Sequence, residues 1–131
     1  MKTTLLLVED DAEVRAVMSE LLALDGIVAV EASNGAEAWD ILNAGKEEER
    51  PRLVLSDIAM PKMNGFQLLD KIRSDPRFEH LPVVLTSGNS DRAKAELEAG
   101  ATTFEPDAFF AKPFDFTKLA EAIRTLISPS A

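Results

Sequence analysis

One stretch constrains the fold more than any other: Leu53-Val54-Leu55-Ser56-Asp57, followed by Ile58-Ala59-Met60-Pro61-Lys62-Met63-Asn64-Gly65. It is a short apolar run that ends on a carboxylate and enters a turn. Apolar residues on both faces predict a strand covered on both sides, as in a parallel sheet. Pro61 and the Asn64-Gly65 pair then interrupt regular structure. Asp57 therefore stands where a central strand stops, and open α/β sheets build their sites there.

At 131 residues the chain suits one domain. A domain of this size buries roughly 65–70% of the surface that its unfolded chain exposes. Its 46% hydrophobic content fits a globular fold. With 14 basic and 23 acidic residues the formal charge is -9, which argues against binding a polyanion such as nucleic acid. There is no cysteine, so disulfide and thiol chemistry are excluded. The single His80 speaks against a histidine metal site or a catalytic triad. Leu5-Leu6-Leu7-Val8 meets acids at Glu9 and is too short for a signal peptide or a membrane span. A cytoplasmic location is expected.

In chain order, Thr4 to Val8 is a strand and Glu9-Asp10-Asp11 follows it. Asp11 serves as the N-cap of a helix with Glu13 in its positive first turn. Val14, Met18, Leu21 and Leu22 recur at helical spacing, and Asp25-Gly26 ends that helix. Ile27 to Val30 is a weaker strand. Ser33-Asn34-Gly35 opens a second helix, which buries Ala38 and Leu42, partly covers Trp39 and stops near Gly45. Lys46 to Arg52 is a charged loop whose Glu47-Glu48-Glu49 run is solvated. Gly65 starts a third helix, with Phe66, Leu69 and Ile72 facing the core and Asp75-Pro76 at its end.

Leu81 to Thr86 is a fourth strand with Pro82 at its start, where a missing donor costs least. Ser90 or Asp91 caps a short fourth helix that ends at Gly100. Ala108 to Ala111 is a fifth strand closed by Lys112-Pro113. Asp115 caps a last helix carrying Leu119, Ala122, Ile123, Leu126 and Ile127. The domain spans 1–128, and the tail 129–131 is expected to fray. Strand and helix alternate five times, which predicts a doubly wound parallel α/β sheet with helices on both faces. The order 2-1-3-4-5 suits five strands. It makes the first and third strands neighbours, so Glu9 and Asp10 share one sheet edge with Asp57.

Carboxylates gathered at one edge repel one another and raise a pKa. A hard divalent cation relieves this, and Mg²⁺ takes oxygen ligands while keeping several waters. The plainer reading of Glu9, Asp10 and Asp11 is a helix cap with an acidic first turn. Asp57 shifts the balance, because a carboxylate closing an apolar strand serves packing poorly. Lys112 adds a cation at the same edge, and Thr86 and Ser87 add hydroxyls at the end of the fourth strand. Each alone suits a surface or turn position. The signal lies in their convergence.

These residues together resemble the receiver domain of two-component response regulators, the CheY-like fold. The likeness rests on Glu9-Asp10, the Asp57-x-x-Met60-Pro61-x-Met63-x-Gly65 run, a hydroxyl after the fourth strand and Lys112-Pro113-Phe114, and it covers essentially the whole chain. It implies that Asp57 accepts a phosphoryl group from the phosphohistidine of a sensor histidine kinase or histidine phosphotransfer protein. It implies Mg²⁺ on Asp10, Asp57 and the Ala59 carbonyl, with Glu9 acting directly or through water. Lys112 would pair with the phosphoryl oxygens, Ser87 would be the switch hydroxyl by register from Pro82, and Phe109 the switch aromatic. A cis bond between Lys112 and Pro113 is implied too, turning the ammonium back toward Asp57. Output to a downstream protein, or homodimerisation, would use the fourth helix, fifth strand and last helix.

Phosphoryl transfer needs positioning and charge neutralisation more than covalent help, and this set of residues supplies both. The expectation is a signalling domain that catalyses only its own phosphorylation and dephosphorylation. A receiver reduced to protein binding would have lost Asp10, Asp57, Ser87 or Lys112, and all four are present. A phosphatase of the haloacid-dehalogenase type needs a second Asp two residues after its nucleophile, and Ala59 stands there. The segment 102–107, containing Pro106, is longer than the family pattern and is expected to be a loop. No output module follows the last helix, which fits a single-domain receiver or a part of a longer protein.

Overall fold

A computed structural model describes residues 3–127. Its elements are β1 (Thr3–Val8), α1 (Ala12–Leu24), β2 (Ile27–Ala32), α2 (Gly35–Ala44), β3 (Val54–Asp57), α3 (Gly65–Ser74), β4 (Val83–Ser87), α4 (Ser90–Glu98), β5 (Ala108–Ala111) and α5 (Phe116–Ile127). The Glu47–Glu49 run forms one exposed 3₁₀ turn in the loop between α2 and β3. The strands form a single parallel sheet in the order β2-β1-β3-β4-β5, the expected one. The expected fraying at 129–131 lies outside the described residues.

The register explains why the central strands are apolar throughout. Val54, Leu55, Ser56 and Asp57 are all buried, and so is every residue of β4. Alternate side chains serve two cores. Leu6, Val8, Val54, Val83 and Leu85 pack with Phe66, Leu69, Ile72 and Phe78 on one face. Leu5, Leu7, Leu55 and Val84 pack with Leu22, Leu119 and Ile123 on the other. Burying each such side chain stabilises the fold by about 1.5–3 kcal/mol.

Several boundaries differ from the sequence reading. Pro82 lies just before β4, its carbonyl accepting from Val54 N–H at 2.9 Å, and the strand begins at Val83, two residues later than expected, and extends to Ser87. β2 runs on to Ala32, because Glu9 N–H still reaches its carbonyl at 3.1 Å. The cap of α4 is Asn89, whose Oδ1 accepts from Arg92 N–H at 3.0 Å, and Ser90 becomes the first helical residue. That helix stops at Glu98, before Gly100 turns with φ +87°. Val14 is 37% exposed, since it lies in the first turn of α1 and borders a recess in place of the core.

The segment 102–107 is a loop, and it is stapled to its surroundings. Thr102 Oγ1 bonds the Asp70 carboxylate on α3. Asp107 Oδ2 accepts from Val83 N–H at 2.8 Å and from Arg73 Nη2 at 2.5 Å. α4 beside it buries only Ala93, so this helix has the least apolar anchorage of the five.

Candidate functional site

The site forms where β1, β3, β4 and β5 reach their C-terminal ends. Asp57 closes β3 and is 9% exposed, and its Oδ1 accepts from Ile58 N–H at 2.9 Å. Glu9 follows β1 and is 5% exposed, and its Oε2 accepts from Asp11 N–H at 3.3 Å. Asp10 is exposed beside them. One carboxylate oxygen from each of Glu9, Asp10 and Asp57 lies within 4.8 Å of the other two. Asp11 stands apart as the cap of α1, accepting from Glu13 and Val14 N–H groups.

Lys112 reaches into this cluster from the end of β5. Its Nζ donates to Glu9 Oε1 at 2.9 Å and lies 3.5 Å from Asp57 Oδ2. Its own N–H is fixed to Ser87 O at 2.7 Å, and the Lys112–Pro113 bond is cis. Burial pushes the carboxyls of both Glu9 and Asp57 above their usual range; the charge of Asp57 adds to it at Glu9 and that of Asp10 at Asp57, with Lys112 opposing. Burial works against the Lys112 ammonium, but its contacts with Glu9 and Asp57 outweigh that and hold its pKa above the ordinary value.

Two hydroxyls close β4 on opposite faces. Ser87 borders a cleft of about 440 Å³ together with Asp57, Ala59, Asn89 and Lys112. Its Oγ accepts from Asn89 N–H at 3.0 Å, just before α4. Thr86 borders the apolar recess on the other side with Leu7, Met18 and Phe114. Phe109 pairs in register with Leu85, two residues before the Ser87–Ala111 pair, so it lies on the Ser87 face of the sheet. It is 37% exposed.

Close packing sets the loop after β3. A Cβ on Gly65 would stand 2.7 Å from Asp57 O, and one on Gly35 would stand 2.5 Å from Met63 O. Gly35 N–H donates to that same Met63 carbonyl at 3.1 Å, so α2 supports the loop that carries Ala59. Lys62 turns the loop with φ +67°. Gly35 entered the sequence reading only as part of a turn, and its packing against a loop distant in sequence left no local signal. Arg15 was missed altogether, because one arginine on an amphipathic helix looks like a solvated residue.

The donor set consists of carboxylate oxygens only, with one exposed member facing solvent. That chemistry fits a hard divalent cation such as Mg²⁺ and disfavours softer metals. An acid trio and a lysine at the carboxyl edge of a 2-1-3-4-5 sheet define the class: a CheY-like signalling domain. The chain belongs to the response regulator receiver domain family, whose model matches residues 5–124.

Particular relatives agree. Over 129 residues the chain is 39% identical to response regulator Rre1 of Synechocystis, covering 95% of this chain and 52% of that protein. It is 32% identical to chemotaxis protein CheY1 of Helicobacter pylori, covering 94% of this chain and 95% of that one. The chain thus spans about half the length of the first and nearly all of the second. Among solved structures, the signal receiver domain of a signal transduction histidine kinase from Syntrophus aciditrophicus superposes with a TM-score of 0.83 at 26% identity, covering 98% of this chain and 96% of that one. Among the described residues no helix is long and apolar enough to cross a membrane.

Proposed function

We propose that Asp57 accepts a phosphoryl group from the phosphohistidine of a sensor histidine kinase or histidine phosphotransfer protein, in a Mg²⁺-dependent reaction. The observation that carries this is the position of Lys112 Nζ between Glu9 and Asp57, at 2.9 and 3.5 Å, beside three converging carboxylates. Asp10, Asp57 and the Ala59 carbonyl would hold the ion, with Glu9 acting directly or through water. When bound, the ion supplies positive charge against the phosphoryl oxygens.

An Asp57 carboxylate oxygen attacks phosphorus in line, the P–N bond breaks, and the imidazole leaves with its electron pair. Lys112 pairs with an equatorial oxygen as charge spreads over it. The product is a mixed anhydride, which water later cleaves to carboxylate and phosphate. The domain is therefore a switch that returns itself to the starting state. Ser87 and Phe109 relay the change to a surface built from α4, β5 and α5. There it meets a downstream protein or a second copy, in the cytoplasm.

The test is intact mass after incubation with acetyl phosphate. Wild type gains one phosphoryl group only with Mg²⁺ present, and Asp57→Asn gains none. Equal modification of the Asn variant would move the acceptor elsewhere.

A further inference from the structure

We propose that Arg15 is a positioning residue that presents Asp10 to the acid cluster by clamping the Glu9 carbonyl. The ladder between β1 and β2 ends at the Val8–Ala32 pair. Just beyond it, Arg15 Nη1 donates to Glu9 O at 2.7 Å, while Arg15 Nε donates to Glu31 Oε1 at 3.1 Å. The Arg15 side chain is 20% exposed and bridges α1 to β2. The Glu9 carbonyl and the Asp10 N–H belong to one planar peptide unit. Fixing that carbonyl fixes the plane from which the Asp10 carboxylate extends.

The guanidinium suits this task because its donors form a rigid fork. One edge is anchored on Glu31 and the other reaches the backbone. A lysine keeps the charge but cannot hold both partners in that geometry. Among the described residues Asp10 has no such brace of its own: it is exposed, in contrast to the buried Glu9 and Asp57.

The inference rests on the reading of the acid cluster as a Mg²⁺ site, and it makes a prediction opposite in sign to simple charge. On charge alone, removing a cation near three carboxylates tightens binding of a divalent ion. A positioning role loosens it. The experiment titrates Mg²⁺ into the ¹⁵N-labelled full chain and follows the Asp10 and Asp57 amides. Arg15→Gln and Arg15→Lys should each weaken Mg²⁺ binding by about tenfold, whereas Glu31→Gln, which keeps an acceptor for Nε, should stay within about twofold. In metal-free protein the Asp10 and Asp11 amide shifts should move in both Arg15 variants.

Tighter or unchanged binding in Arg15→Gln overturns the proposal. So does wild-type affinity in Arg15→Lys, which would show that the two-partner clamp of the guanidinium is not needed. Should the Arg15 variants not fold, Glu31→Ala keeps Arg15 but frees its anchor, and wild-type affinity there overturns the proposal as well. If wild type takes up no Mg²⁺, the metal reading falls and this inference falls with it. Equal affinities in all variants sink the inference alone.

Discussion

Lys112 Nζ lies 2.9 Å from Glu9 Oε1, joining the ends of the two strands on either side of β3 and β4 across 103 residues of chain. The pair does not neutralise the site. Two acids remain for one ammonium when Asp57 is counted, and a third, Asp10, stands beside them. Both Glu9 and Asp57 are consequently held above their usual pKa, first by burial.

The sign of the pH effect follows. A folded pKa above the unfolded value means that the folded state binds protons more tightly. The stability this gives is fully present below the unfolded values of 4.5 and 3.8 and is lost as pH rises through the folded ones. Metal-free protein should therefore lose stability as pH rises above those unfolded values. Asp57→Asn should be more stable than wild type at pH 7 without metal, and saturating Mg²⁺ should narrow or reverse that ranking. Urea midpoints at pH 5 and 7, with and without Mg²⁺, measure both. A wild-type midpoint independent of pH would show that burial does not perturb these acids.

The loop after β3 should tolerate no side chain at Gly65, which closes it, or at Gly35, which packs on it from the start of α2. Gly65→Ala puts a Cβ 2.7 Å from Asp57 O and 2.9 Å from Ile58 Cα. Backbone must move, at a cost of about 1–3 kcal/mol, and the atoms that move carry Asp57, the proposed phosphoacceptor. Gly35→Ala meets Met63 O at 2.5 Å and displaces the same loop from behind. Chemical denaturation should show the loss in both. Phosphorylation by acetyl phosphate should slow more in Gly65→Ala, which pushes on Asp57 directly. A Gly65→Ala domain of wild-type stability and rate would mean that the loop yields freely.

Lys62 offers the opposite change. Its φ of +67° is left-handed, a region where a Cβ costs about 1–2 kcal/mol. Lys62→Gly relieves that strain but adds freedom to the unfolded chain. The net expectation is a gain of about 0.5–1 kcal/mol, read from the denaturant midpoint. A loss would show that the Lys62 side chain makes contacts worth more than the strain.

The sheet order and the placing of Asp57 were legible in the sequence for a physical reason. Buried parallel strands leave continuous apolar runs such as Leu53–Leu55, and polar residues at their ends stand out against them. Strand limits were less legible, since Ser87 and Ala32 continue their strands through backbone bonds that no side chain announces. The choice of Asn89 over Ser90 as cap was a one-residue matter among equally good cap formers. Arg15 and Gly35 were illegible because their partners, Glu9 O and Met63 O, are backbone atoms on other elements.

Asp10 and Asp11 are adjacent acids with different work. Asp11 Oδ1 accepts from Glu13 and Val14 N–H groups at 2.9 and 3.2 Å. Asp11→Ala should cost about 1 kcal/mol of stability as a lost cap and leave Mg²⁺ affinity nearly unchanged. Asp10→Ala should weaken Mg²⁺ binding far more, with little loss of stability. Calorimetric titration beside thermal unfolding separates the two, and equal loss of metal binding in both variants would refute the division.

In the switch proposed above, the first residue to move is Ser87, whose Oγ accepts from Asn89 N–H at 3.0 Å, and Asn89 in turn caps α4. A phosphoryl group on Asp57 adds close to two negative charges and new acceptor oxygens. The Ser87 hydroxyl can donate to one of them, and any rotation pulls on the capping residue of the helix with the least apolar anchorage. Phe109 lies on the same face of β5 and is 37% exposed, with room to turn inward. Moving a mostly inactive population to a mostly active one takes about 5.5 kcal/mol of differential binding. One hydrogen bond from Ser87 to a charged group supplies roughly 1.5–3 kcal/mol. Lys112 must add to it, by giving up part of its 2.9 Å bond to Glu9 for the phosphoryl oxygens. Ser87→Ala should therefore bind the phosphoryl mimic beryllofluoride with Mg²⁺ but shift only partly toward the active spectrum at residues 87–112. Lys112→Ala should bind it and hardly shift. A full wild-type shift in Ser87→Ala would remove this hydroxyl from the switch and turn attention to Thr86, which faces the opposite recess.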